Sequence, residues 1–265
     1  MLIPIDTSKW HDNLWAALIS FTRLPLRKVY DPPRGSFAHI YEYWPLTGWL
    51  TGGTMAAVLW IGSTALPYPV AVILAMAARM LLTGASNEDG MRRFIDGFTG
   101  GGNDSGRILA IMKGTGKGIY GIIGTAIYEV LLFTSLLLMP PDVAALTVAA
   151  ADPYARMIAS QIILMMPQAG TGCGQEHGTA YRRMGTRASA MLAVQGLLPP
   201  AAYIYIMYAR ADWQMMLFAP CAVMYLLYLL IWNRLRGYTA ECCGALFLLV
   251  ELAVYASAML CIHID

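Results

Sequence analysis

Charge is scarce in this sequence. Only 13% of its 265 residues are charged while 58% are hydrophobic, about half the charged fraction of an ordinary soluble domain. A water-soluble fold of this size cannot hide so much apolar surface. Cysteine is also sparse: Cys173, Cys221, Cys242, Cys243 and Cys261 make no paired framework, and none has the CxxC spacing of a zinc or redox site. The vicinal Cys242 and Cys243 read as small packing residues. No GxxxxGK[ST] pattern occurs, which excludes a Walker-type phosphate loop. No internal repeat of useful length is visible and no soluble domain can be separated, so residues 1–265 read as a single membrane domain.

Long hydrophobic runs take the place of what is missing. Seven stretches (46–62, 68–84, 119–139, 143–165, 189–208, 213–232 and 244–262) approach the ~20 residues that cross a bilayer core as a helix. The fold class is therefore all-α, a polytopic integral membrane helical bundle of about seven transmembrane helices. Six is the alternative, because 46–62 is short and carries Gly48, Gly52 and Gly53. The stretch from Lys9 to Leu24 is apolar over only about ten residues and reads as an interfacial amphipathic helix within a polar segment, 1–45. It lacks the basic start, long apolar core and small-residue cleavage site of a signal peptide.

The net charge of +2 says little, but the placement of Lys and Arg says more. Lys9, Arg23, Arg27, Lys28 and Arg34 precede the first run, and Arg92, Arg93, Arg107, Lys113 and Lys117 follow the second. Arg182, Arg183 and Arg187 follow the fourth, and Arg234 and Arg236 the sixth; the opposite side keeps only Arg210. By the positive-inside rule the N-terminus and the loops 84–118, 168–188 and 233–243 lie in the cytoplasm, with the lipid bilayer as partner and no nucleic acid.

The loop 84–118 holds the densest chemistry. Asp89 and Asp96 are two helical turns apart and project from one helix face, with Arg93 between them. Glu88 and Asp104 complete four acids, against Arg92, Arg107, Lys113 and Lys117. Such a mixture suits a diphosphate held through Mg²⁺, with carboxylates on the metal and cations on the remaining phosphate charge. The plainer reading is a set of ion pairs on a solvated helix. Gly100, Gly101 and Gly102 end the first helix, and Arg107 to Lys113 makes a second, with Asp104 or Ser105 as its N-cap. Backbone N–H groups at that helix start are a candidate phosphate site.

Arg79, Glu129, Asp152, Arg156 and Glu251 fall inside the apolar runs, where an ionisable group defaults to a functional hypothesis. Asp152 and Arg156, four apart, also read as a self-satisfied pair.

Several of these pieces together resemble the adenosylcobinamide-GDP ribazoletransferase (cobalamin synthase) family: EDG at 88–90, the second DG at 96–97, GFTGGG at 97–102, RILAIMK at 107–113 and GIYG at 118–121. ISFTRLPL (19–26), YWPLTGWLTGG (43–53) and RGYTAECCGA (236–245) extend the resemblance over most of the chain. It implies a polytopic inner-membrane transferase that joins α-ribazole, or its phosphate, to adenosylcobinamide-GDP with release of GMP, using Mg²⁺. Asp89, Asp96 and Lys113 are then the catalytic candidates, and Glu88, Asp89, Asp96 and Asp104 the metal ligands. Arg93, Gly100, Gly101, Gly102, Arg107, Lys117, Arg156 and Glu241 are the substrate-binding candidates.

The chain departs from that family's pattern at Asn87, Arg92 and Arg93, where the pattern has His, Ala and Asp, and at Gly114 to Gly116, where it has Asp-Ser-Arg. Two readings stay open: Arg93 binds phosphate directly while the acids hold metal, or the chain is a divergent, inactive member. A transporter or channel is the reading from another class; it calls for midplane polar residues in two related halves. A lipid-head-group phosphotransferase lacks support, because the D-x-x-D-G-x-x-A-R pattern does not occur. His177, in the second loop, reads as an ordinary loop residue.

Overall fold

A computed structural model describes residues 10–116, 118–169, 185–207 and 213–261. Among them regular structure is helical, apart from one isolated bridge between Gln168 and Tyr238. A first helix, α1 (Trp10–Phe21), is followed by a 3-10 segment, Arg34–Tyr43, that runs directly into α2 (Trp44–Ala65). Then come α3 (Tyr68–Thr83), α4 (Ser86–Gly100), α5 (Ser105–Lys113), α6 (Ile119–Leu137) and α7 (Pro141–Met165). The bundle closes with α8 (Thr186–Met207), α9 (Trp213–Leu235) and α10 (Ala240–Cys261).

Helices occupy all seven hydrophobic runs, but not all seven are long and apolar enough to be recognised as spans. Among the described residues four helices pass that test, α6, α8, α9 and α10, and a fifth is gained if α3 and α4 form one broken span. The other cases have a physical cause. Gly and Thr dilute α2, α3 is 16 residues long, and Asp152 with Arg156 lowers the hydropathy of α7.

Helices α7 and α10 form the buried centre of the bundle, with more than half of each buried, whereas α9 and α6 bury only 22% and 28% of their apolar stretches. The outward faces of α6 and α9 carry Ile123, Val130, Phe218 and Leu226, all exposed, an apolar surface consistent with a membrane protein. The tightest seam joins α2 to α7. A Cβ at Gly48 or Gly52 would stand 2.9 or 2.8 Å from atoms of Asp152, so glycine lets the two backbones approach, the small-residue packing usual between membrane helices.

That seam satisfies the charges of α7. Arg156 is fully buried and paired with Asp152. Thr51 donates to Asp152 Oδ2 at 2.6 Å, and Arg156 Nη2 donates to Thr51 Oγ1 at 3.0 Å. The guanidinium also lies over the Phe247 ring at 4.3 Å. A second buried pair ties α3 to α10: Arg79 Nη1 donates to both oxygens of Glu251 at 2.6 and 2.7 Å. Tyr255 donates to Glu251 at 2.8 Å, and Arg79 Nη2 donates to Tyr128 of α6 at 3.1 Å. Buried charges are tolerated when paired and hydrogen-bonded in this way.

At the end of α3 the chain turns sharply. Gly84 and Ala85 adopt left-handed conformations, φ +67° and +55°, and α4 leaves at 86° to α3. Helix α4 thus lies across the end of the bundle, packed on α10 and α6.

Candidate active site

The loop 84–118 forms a compact helix pair. Helix α4 runs from Ser86 to Gly100, so the first helix of this loop does end in the glycine run. Asp104 is the N-cap of α5, accepting from Gly106 N at 2.9 Å and Arg107 N at 3.4 Å. Those N–H groups are therefore turned to a carboxylate of the chain itself, and the start of α5 offers no vacant phosphate cradle. The three glycines do not make one either. Gly100 is the last residue of α4, the Gly101 N–H closes α4 on the Gly97 carbonyl at 2.9 Å, and a Cβ at Gly101 would clash with Ile108 of α5. Gly102 is exposed at φ +62°, beyond the packed turn.

Asp89 and Asp96 do share one face, and Arg92 bridges them. Its Nη2 donates to Asp89 Oδ1 at 2.9 Å and its Nη1 to Asp96 Oδ2 at 3.2 Å. Arg93 Nε donates to the other oxygen, Asp89 Oδ2, at 2.7 Å. Both arginines reach on to carbonyls at and after the end of α5: Arg93 to Met112 and Gly114 at 3.3 and 3.2 Å, Arg92 to Gly116 at 3.4 Å. Cations at a helix C-terminus meet the negative end of its dipole. Arg92, one of the cations of this loop in the sequence, is not among the substrate-binding candidates that the family resemblance implies; its place beside Arg93 among the departures from the family pattern is the signal for it.

Asp96 has a further task. Its Oδ1 accepts from Gly121 N at 2.7 Å and its Oδ2 from Gly118 N at 2.9 Å, so it caps the start of α6 from outside that helix. Gly118 and Gly121 permit this; a Cβ on either would overlap the carboxylate. Burial pushes Asp89 upward, but hydrogen bonds from Arg93 and Arg92 prevail and hold it below the usual carboxylate value. Arg93 is raised, chiefly by its bond to Asp89, with Glu241 of α10 adding to the field.

The remaining candidates are less gathered. Arg107 and Lys113 are exposed on α5 and form no ion pair among the described residues. Glu241 lies near Arg93 on the first turn of α10, its backbone 3.5 Å from where a Gly90 Cβ would be. Glu88 is buried, and its Oε2 has no partner. Arg156, expected to bind substrate, is instead enclosed between α2, α7 and α10 with no exposed surface. Lys117 and His177 lie outside the described residues, as does most of the loop 168–188.

Sequence comparison supplies the family. The profile of cobalamin-5-phosphate synthase matches residues 13–259. The chain belongs to that family. Adenosylcobinamide-GDP ribazoletransferase of Ralstonia nicotianae is 32% identical over 246 residues, 91% of this chain and 92% of its own. The enzyme of that name from Shewanella baltica is 26% identical over 256 residues, covering 94% and 95%, and that of Ralstonia pickettii 35% over 150 residues, covering 56% and 58%. No solved structure matches.

In this cobalamin-5-phosphate synthase family member the arranged carboxylates do not fit a divalent cation. Mg²⁺ needs several oxygens converging at near-ideal octahedral geometry. Here both oxygens of Asp89 face arginines, both of Asp96 accept N–H groups, and Asp104 caps α5. Of these acids, Glu88 keeps an unpartnered buried oxygen, and Asp104 Oδ2 accepts no hydrogen bond among the described residues. Among the described residues no three His, Cys, Asp or Glu side chains come together as a metal site. On this face Arg92 and Arg93 are paired with Asp89 and Asp96, and the cations without an ion pair among the described residues, Arg107 and Lys113, are exposed on α5.

Proposed function

We propose that the chain is an adenosylcobinamide-GDP ribazoletransferase, carrying out the nucleotide-loop assembly step of cobalamin synthesis at a cationic site built from α4 and α5. The observation that carries this reading is the family match over 13–259, which includes the whole charged helix pair. A ribose hydroxyl of α-ribazole, or of its phosphate, attacks the corrinoid-side phosphorus. A new P–O bond forms, the bond to the bridging oxygen breaks, GMP departs with that oxygen, and the hydroxyl proton passes to solvent or to a carboxylate.

The residues present favour charge stabilisation as the main contribution. Arg92 and Arg93 are held in position by Asp89 and Asp96, so they need no reorganisation as negative charge builds on the leaving group. Planar guanidinium groups also suit the oxygens of a diphosphate. Lys113 and Arg107, exposed on the neighbouring helix, neutralise the outer phosphate. We further infer that all seven long helices cross the inner membrane. The basic residues around α4, α5 and the end of α9 support a cytoplasmic position for this end.

The test is GMP release. Purified protein in lipid nanodiscs, given adenosylcobinamide-GDP and α-ribazole or its phosphate, is expected to release one GMP per corrinoid joined. Absence of GMP from a folded wild-type protein, with and without Mg²⁺, contradicts the reading.

A further inference from the structure

We propose that a cavity beside the charged site, between α1, the 3-10 segment Arg34–Tyr43 and the starts of α4 and α10, holds the planar benzimidazole base of the ribazole substrate. This rests on the transferase reading. The cavity measures about 420 Å³, within the roughly 300–1,000 Å³ of small-molecule sites. Its wall is aromatic: Phe21, Phe37, Tyr41 and Trp44 all line it. Phe21 stacks on Trp44 at 5.5 Å between ring centroids, and Tyr41 stands edge-on to both at 5.6 and 5.2 Å. Flat heteroaromatic rings are held by such surfaces.

One polar side chain at this wall lacks a partner: Asn87, 8% exposed, makes no side-chain hydrogen bond among the described residues. A carboxamide both donates and accepts, and its N–H suits the single ring-nitrogen acceptor of a substituted benzimidazole. The rest of the wall includes Ile40, Cys243 and Gly244, apolar groups that suit the two ring methyls of ribazole, with Ser20 and Ser86 at its polar side.

Position links this cavity to the reaction. Ala240 and Gly244, which line the cavity, flank Glu241 on the first turns of α10, and Glu241 lies near Arg93. The start of α10 is thus shared by the cavity and the charged site, and a base seated in the cavity leaves its ribose on that side. The same placement gives Asn87, one of the departures from the family pattern, a role in substrate recognition.

Equilibrium dialysis of α-ribazole with the full chain in nanodiscs, for wild type, Asn87→Leu and Phe37→Ala, tests this. Phe37 is only partly buried, so its variant carries the test if Asn87→Leu does not fold. The expected result is ribazole binding weakened tenfold or more in each folded variant, with binding of adenosylcobinamide-GDP changed less than twofold. Unchanged ribazole binding in the folded variants, no ribazole binding by wild type, or displacement of ribazole by GMP overturns the proposal. If GMP release proceeds with an unaltered KM for ribazole in both variants, the cavity assignment falls and the transferase reading stands. If both variants lose ribazole binding while wild type releases no GMP, the cavity assignment stands and the reaction falls.

Discussion

Arg93 reaches Gly114, its Nη1 donating to the glycine carbonyl at 3.2 Å. Both positions differ from the family pattern, and in space they touch. Arg92 makes the same kind of contact with Gly116. The two arginines of α4 thus close the turn Gly114–Gly116 through its backbone carbonyls. Substituting Arg93→Ala removes charge-assisted hydrogen bonds worth roughly 1.5–3 kcal/mol each. Steady-state assays of GMP release are expected to show kcat/KM lowered by about tenfold or more, with a fall in melting temperature. Unchanged kinetics would remove Arg93 from the site.

Acid should loosen the same helix pair. Asp89 has its folded pKa below the ordinary value of 3.8, so its contribution is fully present above that value and is lost as pH falls through the folded value. Hydrogen exchange of α4 amides is expected to rise below about pH 4, and Asp89→Asn should abolish that part of the pH dependence. The carboxylate is half-exposed, so solvent screening keeps the effect small.

Divalent metal binding by the substrate-free protein is expected to be weak, because arginines occupy the carboxylates. Titration with Mn²⁺, followed by electron paramagnetic resonance, should show no stoichiometric tight site. The double change Arg92→Ala with Arg93→Asp removes both cations and adds an acid, and is expected to tighten Mn²⁺ binding by tenfold or more. Tight binding by wild type would mean that the carboxylates exchange their arginines for metal.

The Arg79 and Glu251 pair predicts a stability effect remote from the reaction. Glu251→Gln leaves a buried guanidinium without its counter-charge, at a cost of roughly 3–5 kcal/mol. Thermal unfolding in detergent should show a large drop, and Arg79→Met combined with Glu251→Gln should recover part of it. Additive losses would argue against a direct pair.

Much of the helical order could be read from the apolar runs, and helices fall on all of them. Local relationships were legible too. The shared face of Asp89 and Asp96, the Asp104 cap and the Asp152 and Arg156 pair all follow from short helical spacings, as does the plain packing role of Cys242 and Cys243, both buried. Longer relationships were not. Asp96 caps a helix that begins 23 residues later, and Arg79 meets Glu251 across 172 positions; no periodicity encodes either. Density of glycine signals close approach without saying to what; at Gly101 the approach is to Ile108 of α5. Arg156 looked functional for the opposite reason, since its partners on α2, Thr47 and Thr51, are more than a hundred residues away.

The most direct measurement is GMP release by the nanodisc-embedded chain supplied with both substrates, compared between wild type and Arg92→Ala/Arg93→Ala. A site built on fixed arginine charge predicts GMP and joined corrinoid in equal amounts from wild type, and a loss of at least a hundredfold in the double variant. Equal turnover by both proteins, or GMP without joined corrinoid, would contradict it.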